Sequence, residues 1–326
     1  MVSVVTPAYN RASYLDETIR SILDQDYPKI EYIVLDDGST DNTREVLEKY
    51  TGRLTWETHP NMGEHRTVNK GWSMAHGEIV VVVSSDDTLL PGAISTAVAF
   101  MQAHPDILVA CPDWNHVGPD SEFIDHVQVP EFGPMFNDDY LHMLKRYHPR
   151  VGPGAFIRRK AFALAGMRDP DLRYVADFEY WLRLGLYGRF ARIPATLATW
   201  RVHPGQASAS SHGKEAADGH SRLAEKFYSR PDLPPEVLRV RREAFSSAHY
   251  AGVCNAGAAR WEARKHLLKS LLYHPPSFFG NPYRLNWVLL LMLPSPLDTV
   301  LLRCEHWVAR VIVARTCRSL KRFGAR

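Results

Sequence analysis

Two pairs of adjacent aspartates each follow a run of β-branched residues: Asp36–Asp37 in "VLDDGST" and Asp86–Asp87 in "VVVSSDDTLLPGAI". Carboxylates this close repel unless a cation or a shared proton relieves them. A hard divalent cation suits oxygen ligands and shares them with substrate phosphates. Helix capping competes with that use, because an aspartate ahead of "TLLPGA" also satisfies free amides. For an isolated pair, capping is the first reading. Asp36 and Asp37 carry the same ambiguity, with Gly38 permitting a tight turn and a nucleobase imide or ribose as the alternative partner. Asp177 in "ADFEYWLRL" has the chemistry of a general base, or again of a cap. Glu179 falls two residues on, on another face. Arg201 and His203 alternate in "WRVHPG", which points them the same way along a strand. A cation beside an imidazole suits a diphosphate and its metal; polar residues at a chain turn account for the pair equally.

The elements that must hold these residues are legible from periodicity. Val2–Thr6 and Ile30–Ser39 read as strands, the second near-continuously apolar before its carboxylates, and the run from Leu15 through Ile19, Ile22 and Leu23 has helical spacing, with Ser13 as its cap. "RLTWETH" and "EIVVVV" are further strands, separated by a helical stretch that Gly77 closes. Pro91 precedes another helix. Strands alternating with helices predict βαβ units and a mostly parallel sheet with helices on both faces. In such sheets ligands bind beyond the carboxyl ends of the strands. Both acidic pairs fall on that edge. Residues 111–150 read as irregular, "RFARIPATLATWR" as two short strands, and the chain after residue 211 as helical. We therefore expect a domain at 1–211, in halves of about 1–110 and 111–211, followed by a helical region at 212–326.

Composition narrows the class. The chain has 326 residues, 45% of them apolar and 23% charged, as in folded globular proteins. Its four cysteines are widely spaced and form no zinc or disulfide pattern, which fits a reducing, cytoplasmic setting. The first apolar run reads as a strand rather than a leader, and "WVLLLML" is too short to span a bilayer. Net charge is +3, but Leu302–Arg326 holds seven Lys/Arg and one Glu. A basic tail on a mildly acidic body predicts an anionic surface as partner and gives no reason to expect nucleic acid. Peripheral attachment to the inner face of the plasma membrane is one reading; a helical cap or dimer contact is the other.

The order of the motifs is more specific than any one of them. "SVVTPAYNR", "VLDDGSTDNT", "NMGEHRTVNKGWSMAHGEIV", "VVVSSDDTLLPGAI", "GPGAFIRRKAF…ADFEYWLRL" and "WRVHPGQAS" occur in this succession, over about the first two thirds of the chain. The series closely resembles the family 2 glycosyltransferases. That resemblance implies a GT-A fold, a nucleotide-diphosphate sugar donor (a UDP-sugar foremost), Mn2+ or Mg2+, and transfer with inversion, of a hexosyl or N-acetylhexosaminyl type. It implies that Thr6, Pro7, Ala8 and Tyr9 line the nucleotide pocket and that Asp36 and Asp37 meet base and ribose. Asn69, Ser85, Asp86 and Arg201 would also bind the donor. Asp86, Asp87 and His203 would hold the metal, and Asp177 would be the base.

Three positions depart from the family pattern. Ser84 and Ala176 stand where acids are common, and Val68 where an arginine is, with His65 or Arg66 as candidate substitutes. The acceptor would be a glycan or a lipid-linked glycan, in bacterial surface polysaccharide synthesis. Trp114, Phe123, Phe132 and Phe136 are candidates to stack on sugar rings, although a place in the core explains them first. A catalytically idle scaffold and a nucleotidyltransferase are the rival readings.

Overall fold

The computed structural model describes residues 1–132, 138–146, 151–206, 213–256, 259–279 and 284. The basic tail and Phe136 lie outside the described residues. The first part alternates as expected: β1 (Val2–Ala8), α1 (Ala12–Leu23), β2 (Ile30–Asp36), α2 (Thr43–Glu48), β3 (Thr55–Thr58), α3 (Glu64–Met74) and β4 (Ile79–Val82). β1 is buried along its whole length, as a strand covered on both faces must be. β3, β2, β1 and β4 lie side by side and pair in parallel. α3 packs on this sheet through Gly71, where a side chain would meet Val5 and Leu35.

The second part is β5 (Thr88–Leu89), α4 (Ala93–Ala103), β6 (Ile107–Val117), β7 (Phe123–Val127), α5 (Asp138–Arg146), β8 (Phe156–Arg158), α6 (Lys160–Ala165), α7 (Ala176–Leu184) and β9 (Arg189–Arg201). Strand order is β3-β2-β1-β4-β8-β6-β9-β5, with β7 beside β6. Four pairings are parallel and four, β4/β8, β6/β8, β6/β7 and β5/β9, are antiparallel. The sheet is thus parallel from β3 to β4 and mixed beyond β4.

Two local readings are corrected. Residues 111–150 are not irregular throughout, because β6 extends to Val117 and pairs with β7. β9 is one long strand rather than two. It pairs along β6 and slips register where Pro112 faces Ile193 and Asp113 faces Thr196. Pro194 and Ala195 fall in that slip, where a residue without an N–H cannot extend a ladder.

The rest is helical: α8 (Lys214–Tyr228), α9 (Pro235–Arg239), α10 (Arg241–Asn255), α11 (Arg260–Tyr273) and α12 (Pro276–Phe279). A second hydrophobic cluster joins Phe178 and Leu182 of α7 to Leu223, Phe227 and Phe245 of α8 and α10. It spans both sides of residue 211. No helix among the described residues is long and apolar enough to cross a membrane.

Candidate active site

Strand pairing assembles the site. β5 and β9 are antiparallel, with Thr88 opposite Thr199 and their hydroxyls 2.8 Å apart. Continuing that register by two residues sets Asp86 opposite Arg201. His203 Nε2 then lies 3.1 Å from Asp86 Oδ2. Arg11, in the loop after β1, places its Nε 3.1 Å from the same oxygen and donates from its Nη2 to the Gly205 carbonyl at 2.8 Å. One carboxylate oxygen, one imidazole nitrogen and one guanidinium therefore meet at the carboxyl edge of the sheet.

The capping reading of this acidic pair fails. α4 begins after Gly92, held at φ +75°, with no side-chain cap; Gln25 Oε1 takes the Ile94 amide instead. The two aspartates have separate duties. Asp87 is buried, and its Oδ1 accepts the Arg201 amide at 2.8 Å. Burial, with Asp86 beside it, pushes the Asp87 carboxyl well above the usual carboxylate range. Asp87 was expected as a metal ligand; its observed contact is to the β9 main chain.

Arg201 also differs from expectation. It is 1% exposed. Its guanidinium donates to the carbonyls of Asp86, Gly118 and Pro119, to Ser121 Oγ and to Glu17. Its Cζ lies 5.0 Å over the Tyr14 ring, whose other neighbour is His203 at 4.7 Å between centroids. With every nitrogen already donating, this side chain braces the site instead of facing a diphosphate.

The other acidic pair splits as well. Asp37 is buried and takes the amides of Met62 and Gly63 at 2.7 and 3.0 Å, which fixes the start of α3. That occupies the residue expected at base or ribose. Asp36 Oδ1 accepts the Ser39 amide, whereas its buried Oδ2 has no hydrogen-bond partner among the described residues. A buried carboxylate oxygen left unpaired is costly unless a ligand donor meets it. The β1 and β2 loops brace one another: Asn10, at φ +51°, accepts the Thr40 amide on Oδ1 and gives its own amide to Ser39 Oγ. Gly38 cannot carry a side chain, which would sit 2.8 Å from the Asn61 amide.

Thr6 is buried with its hydroxyl 3.3 Å from that of Tyr32, so its side chain belongs to the core. Pro7 and Ala8 are buried at the end of β1, and Tyr9 is 45% exposed beside them. Ser85 is buried in the turn after β4. Asn69 was expected at the donor. Its amide group instead bridges the Arg168 main chain, donating to the carbonyl at 2.8 Å and accepting the N–H at 3.0 Å. His65 meets the Arg173 carbonyl at 2.9 Å and Arg66 pairs with Asp171 at 3.5 Å. α3 thus clasps the loop that leads into α7, and neither residue replaces the missing arginine at the donor.

Asp177 stands in the first turn of α7, half-buried. Its Oδ1 accepts the Phe178 amide at 2.7 Å. Its charge reaches His220 of α8, which burial nevertheless pushes down to about 4. Glu179 is a different case: it is buried in an ion pair with Arg183 at 2.7 Å, and Arg183 also holds the Met167 carbonyl. Of the acids in this turn, Asp177 alone is outside an ion pair of that kind. Among the candidate stacking aromatics, Trp114 is buried against Gly152 and Phe132 packs on Phe190. Phe123 on β7 is exposed.

Arg11, Tyr14 and Glu17 carry no motif of their own. The signal for Arg11 is its place one turn after β1, on the edge that carries both acidic pairs. Tyr14 and Glu17 become part of the site only through β9.

The sequence model described as "Glycosyl transferase family 2" matches residues 3–164, and the fold agrees with it. The chain belongs to the family 2 glycosyltransferases, and its fold is GT-A. An uncharacterized glycosyltransferase of Haemophilus influenzae is 25% identical over 227 residues, 64% of this chain and 67% of the relative. The Staphylococcus aureus poly(ribitol-phosphate) beta-N-acetylglucosaminyltransferase TarS is 36% identical over 115 residues, 33% of this chain but only 20% of that protein. The solved structure of TarS with UDP-GlcNAc superposes with a TM-score of 0.59 at 18% identity, covering 84% of this chain and 89% of that one. The mannosyltransferase PcManGT of Pyrobaculum calidifontis, in complex with GDP-Man and Mn2+, gives 0.55 at 18% identity, covering 89% and 83%. These findings favour neither the idle scaffold nor the nucleotidyltransferase.

Proposed function

We propose that the protein transfers a sugar from a nucleotide-diphosphate donor to a hydroxyl of a glycan or lipid-linked acceptor, with inversion, in the synthesis of a bacterial surface polysaccharide. The observation that carries this reading is the meeting of Asp86 Oδ2 and His203 Nε2 at the sheet edge, 3.1 Å apart. The bound UDP-GlcNAc of the TarS structure and the GDP-Man of the mannosyltransferase support a nucleotide-sugar donor on this fold. Tyr9 offers an exposed ring to the base, and the open Asp36 oxygen offers an acceptor to base or ribose.

Among the described residues no cluster of three His, Cys, Asp or Glu could hold a metal ion unaided. Asp86 and His203 supply one oxygen and one nitrogen, a set that fits Mn2+ or Mg2+ when the substrate diphosphate completes the shell. Such a cation, when bound, supplies Lewis-acid neutralisation of the leaving diphosphate. Arg11 adds a fixed positive charge at the same carboxylate. Asp87 and Arg201 hold the two chain segments in register, so that Asp86 and His203 stay opposed. Asp177 accepts the proton of the acceptor hydroxyl. That oxygen attacks the anomeric carbon from the face opposite the diphosphate, and the sugar–phosphate C–O bond breaks. One displacement inverts the centre and needs no enzyme nucleophile. General-base assistance of this kind contributes about 10²–10⁴-fold.

The test is turnover of a panel of UDP- and GDP-sugars with Mn2+, by wild type and by Asp86→Ala. We expect one donor to be turned over by wild type, and the variant to lose the metal dependence of donor binding. Identical metal dependence in both proteins would remove Asp86 from the site.

A further inference from the structure

We infer that α11 is a docking surface for an anionic lipid bilayer. Three of the four most exposed large apolar side chains among the described residues belong to this helix: Trp261 at 66%, Leu272 at 65% and Leu268 at 59%. Their spacing, seven residues and then four, puts them in one stripe along the helix. The opposite face is already used. Ala263, His266, Leu267 and Ser270 are buried, and Ser270 exchanges hydrogen bonds with Ser246 of α10. A helix that is apolar on both faces is normally buried all round. This one turns its second apolar face outward.

Charge selects the occupant. Arg264 flanks the stripe on one side, and Lys265 and Lys269 flank it on the other; all three are exposed. Glu262, the helix's one acid, pairs with Lys265 at 3.2 Å. A second copy laid on this stripe would oppose like charges, which disfavours association. An anionic surface meets both features, with Trp and Leu entering the headgroup boundary and Lys and Arg resting on phosphates. The chain beyond the described residues has the same composition, apolar with seven Lys/Arg and one Glu in its last 25 positions. A bilayer held by α11 would keep a lipid-linked acceptor near the catalytic domain.

The test is flotation of the full-length protein with phosphatidylcholine vesicles, with and without phosphatidylglycerol, for wild type and for Leu268→Glu/Leu272→Glu. Both leucines are exposed, so far-UV circular dichroism and donor turnover should stay at wild-type values. We expect wild type to float with the anionic vesicles only, and the double variant to lose about tenfold or more in vesicle affinity. A second pair, Lys265→Gln/Lys269→Gln, should weaken binding most at low salt. Equal flotation of wild type and the leucine variant would overturn the proposal, as would wild-type flotation that ignores lipid charge. A dimer in light scattering that the leucine variant dissolves, without flotation, would assign the stripe to a second copy. A loss of thermal stability with flotation intact would assign it to the chain's own 285–326 segment. Lipid binding is read without glycosyl transfer, so failure of either proposal leaves the other standing.

Discussion

Asp86 and Asp87 are chemically identical neighbours, and the fold gives them different work. Asp86 keeps an oxygen toward His203 and Arg11, whereas Asp87 is buried on the Arg201 amide. Arg201 shows the same contrast between residue type and use. Its place beside His203 in "WRVH" points to a diphosphate, but five acceptors of the protein itself surround its guanidinium. Lysine has a single ammonium and cannot reproduce that fork. Arg201→Lys should therefore lower folding stability, by about 3–5 kcal/mol if the loss resembles the breaking of a buried charged network. Urea unfolding measures this. Wild-type stability combined with lost donor affinity would return Arg201 to the diphosphate.

At the scale of elements, the parallel βαβ half was readable because its strands are continuous apolar runs and its helices have clear periodicity. The acidic pairs could be placed on one edge for the same reason. What could not be read was long-range pairing. Nothing local in "RFARIPATLATWR" says that it runs beside residues 107–117, and the slip at Pro194 made it look like two strands. Without that pairing Tyr14 and Glu17 have no visible role, and Asn69 looks like a donor ligand instead of a clasp on Arg168. The start of α1 is not legible for a related reason. α1 is entered at Arg11, and its first amide is met by Asp41 from another loop, at 3.1 Å, and not by Ser13.

The helical elements carry a pH dependence of their own. His266 Nε2 meets Asp218 at 3.1 Å and its Nδ1 meets that of His249 at 3.0 Å, so in the neutral pair His249 is the donor. Burial lowers three histidines of this layer: His220 to about 4, His249 to about 3, and His266 in the same direction. A depressed pKa means the unfolded chain binds protons that the folded chain refuses. The stability these histidines contribute is then complete above about pH 6.5 and falls as pH drops below it, down to about 4 for His220 and about 3 for His249, by up to about 1.4 kcal/mol per unit for each. His249→Gln should flatten this decline. Urea midpoints at pH 7 and pH 5 measure it, and an equal fall in both proteins would contradict the assignment.

For the whole molecule, one sheet edge gathers the groups assigned to the proposed transfer, while the helical layer meets the sheet domain through the cluster shared by α7, α8 and α10. The layer reaches the candidate base as well, since His220 feels the charge of Asp177. In the proposed reaction Asp177 removes the acceptor proton while Asp86 and His203 serve the donor. The direct measurement is the transfer rate of Asp177→Asn beside its affinity for nucleotide diphosphate and Mn2+. A rate lower by about 10²–10⁴-fold with affinity unchanged is expected. Wild-type transfer by that variant would contradict it.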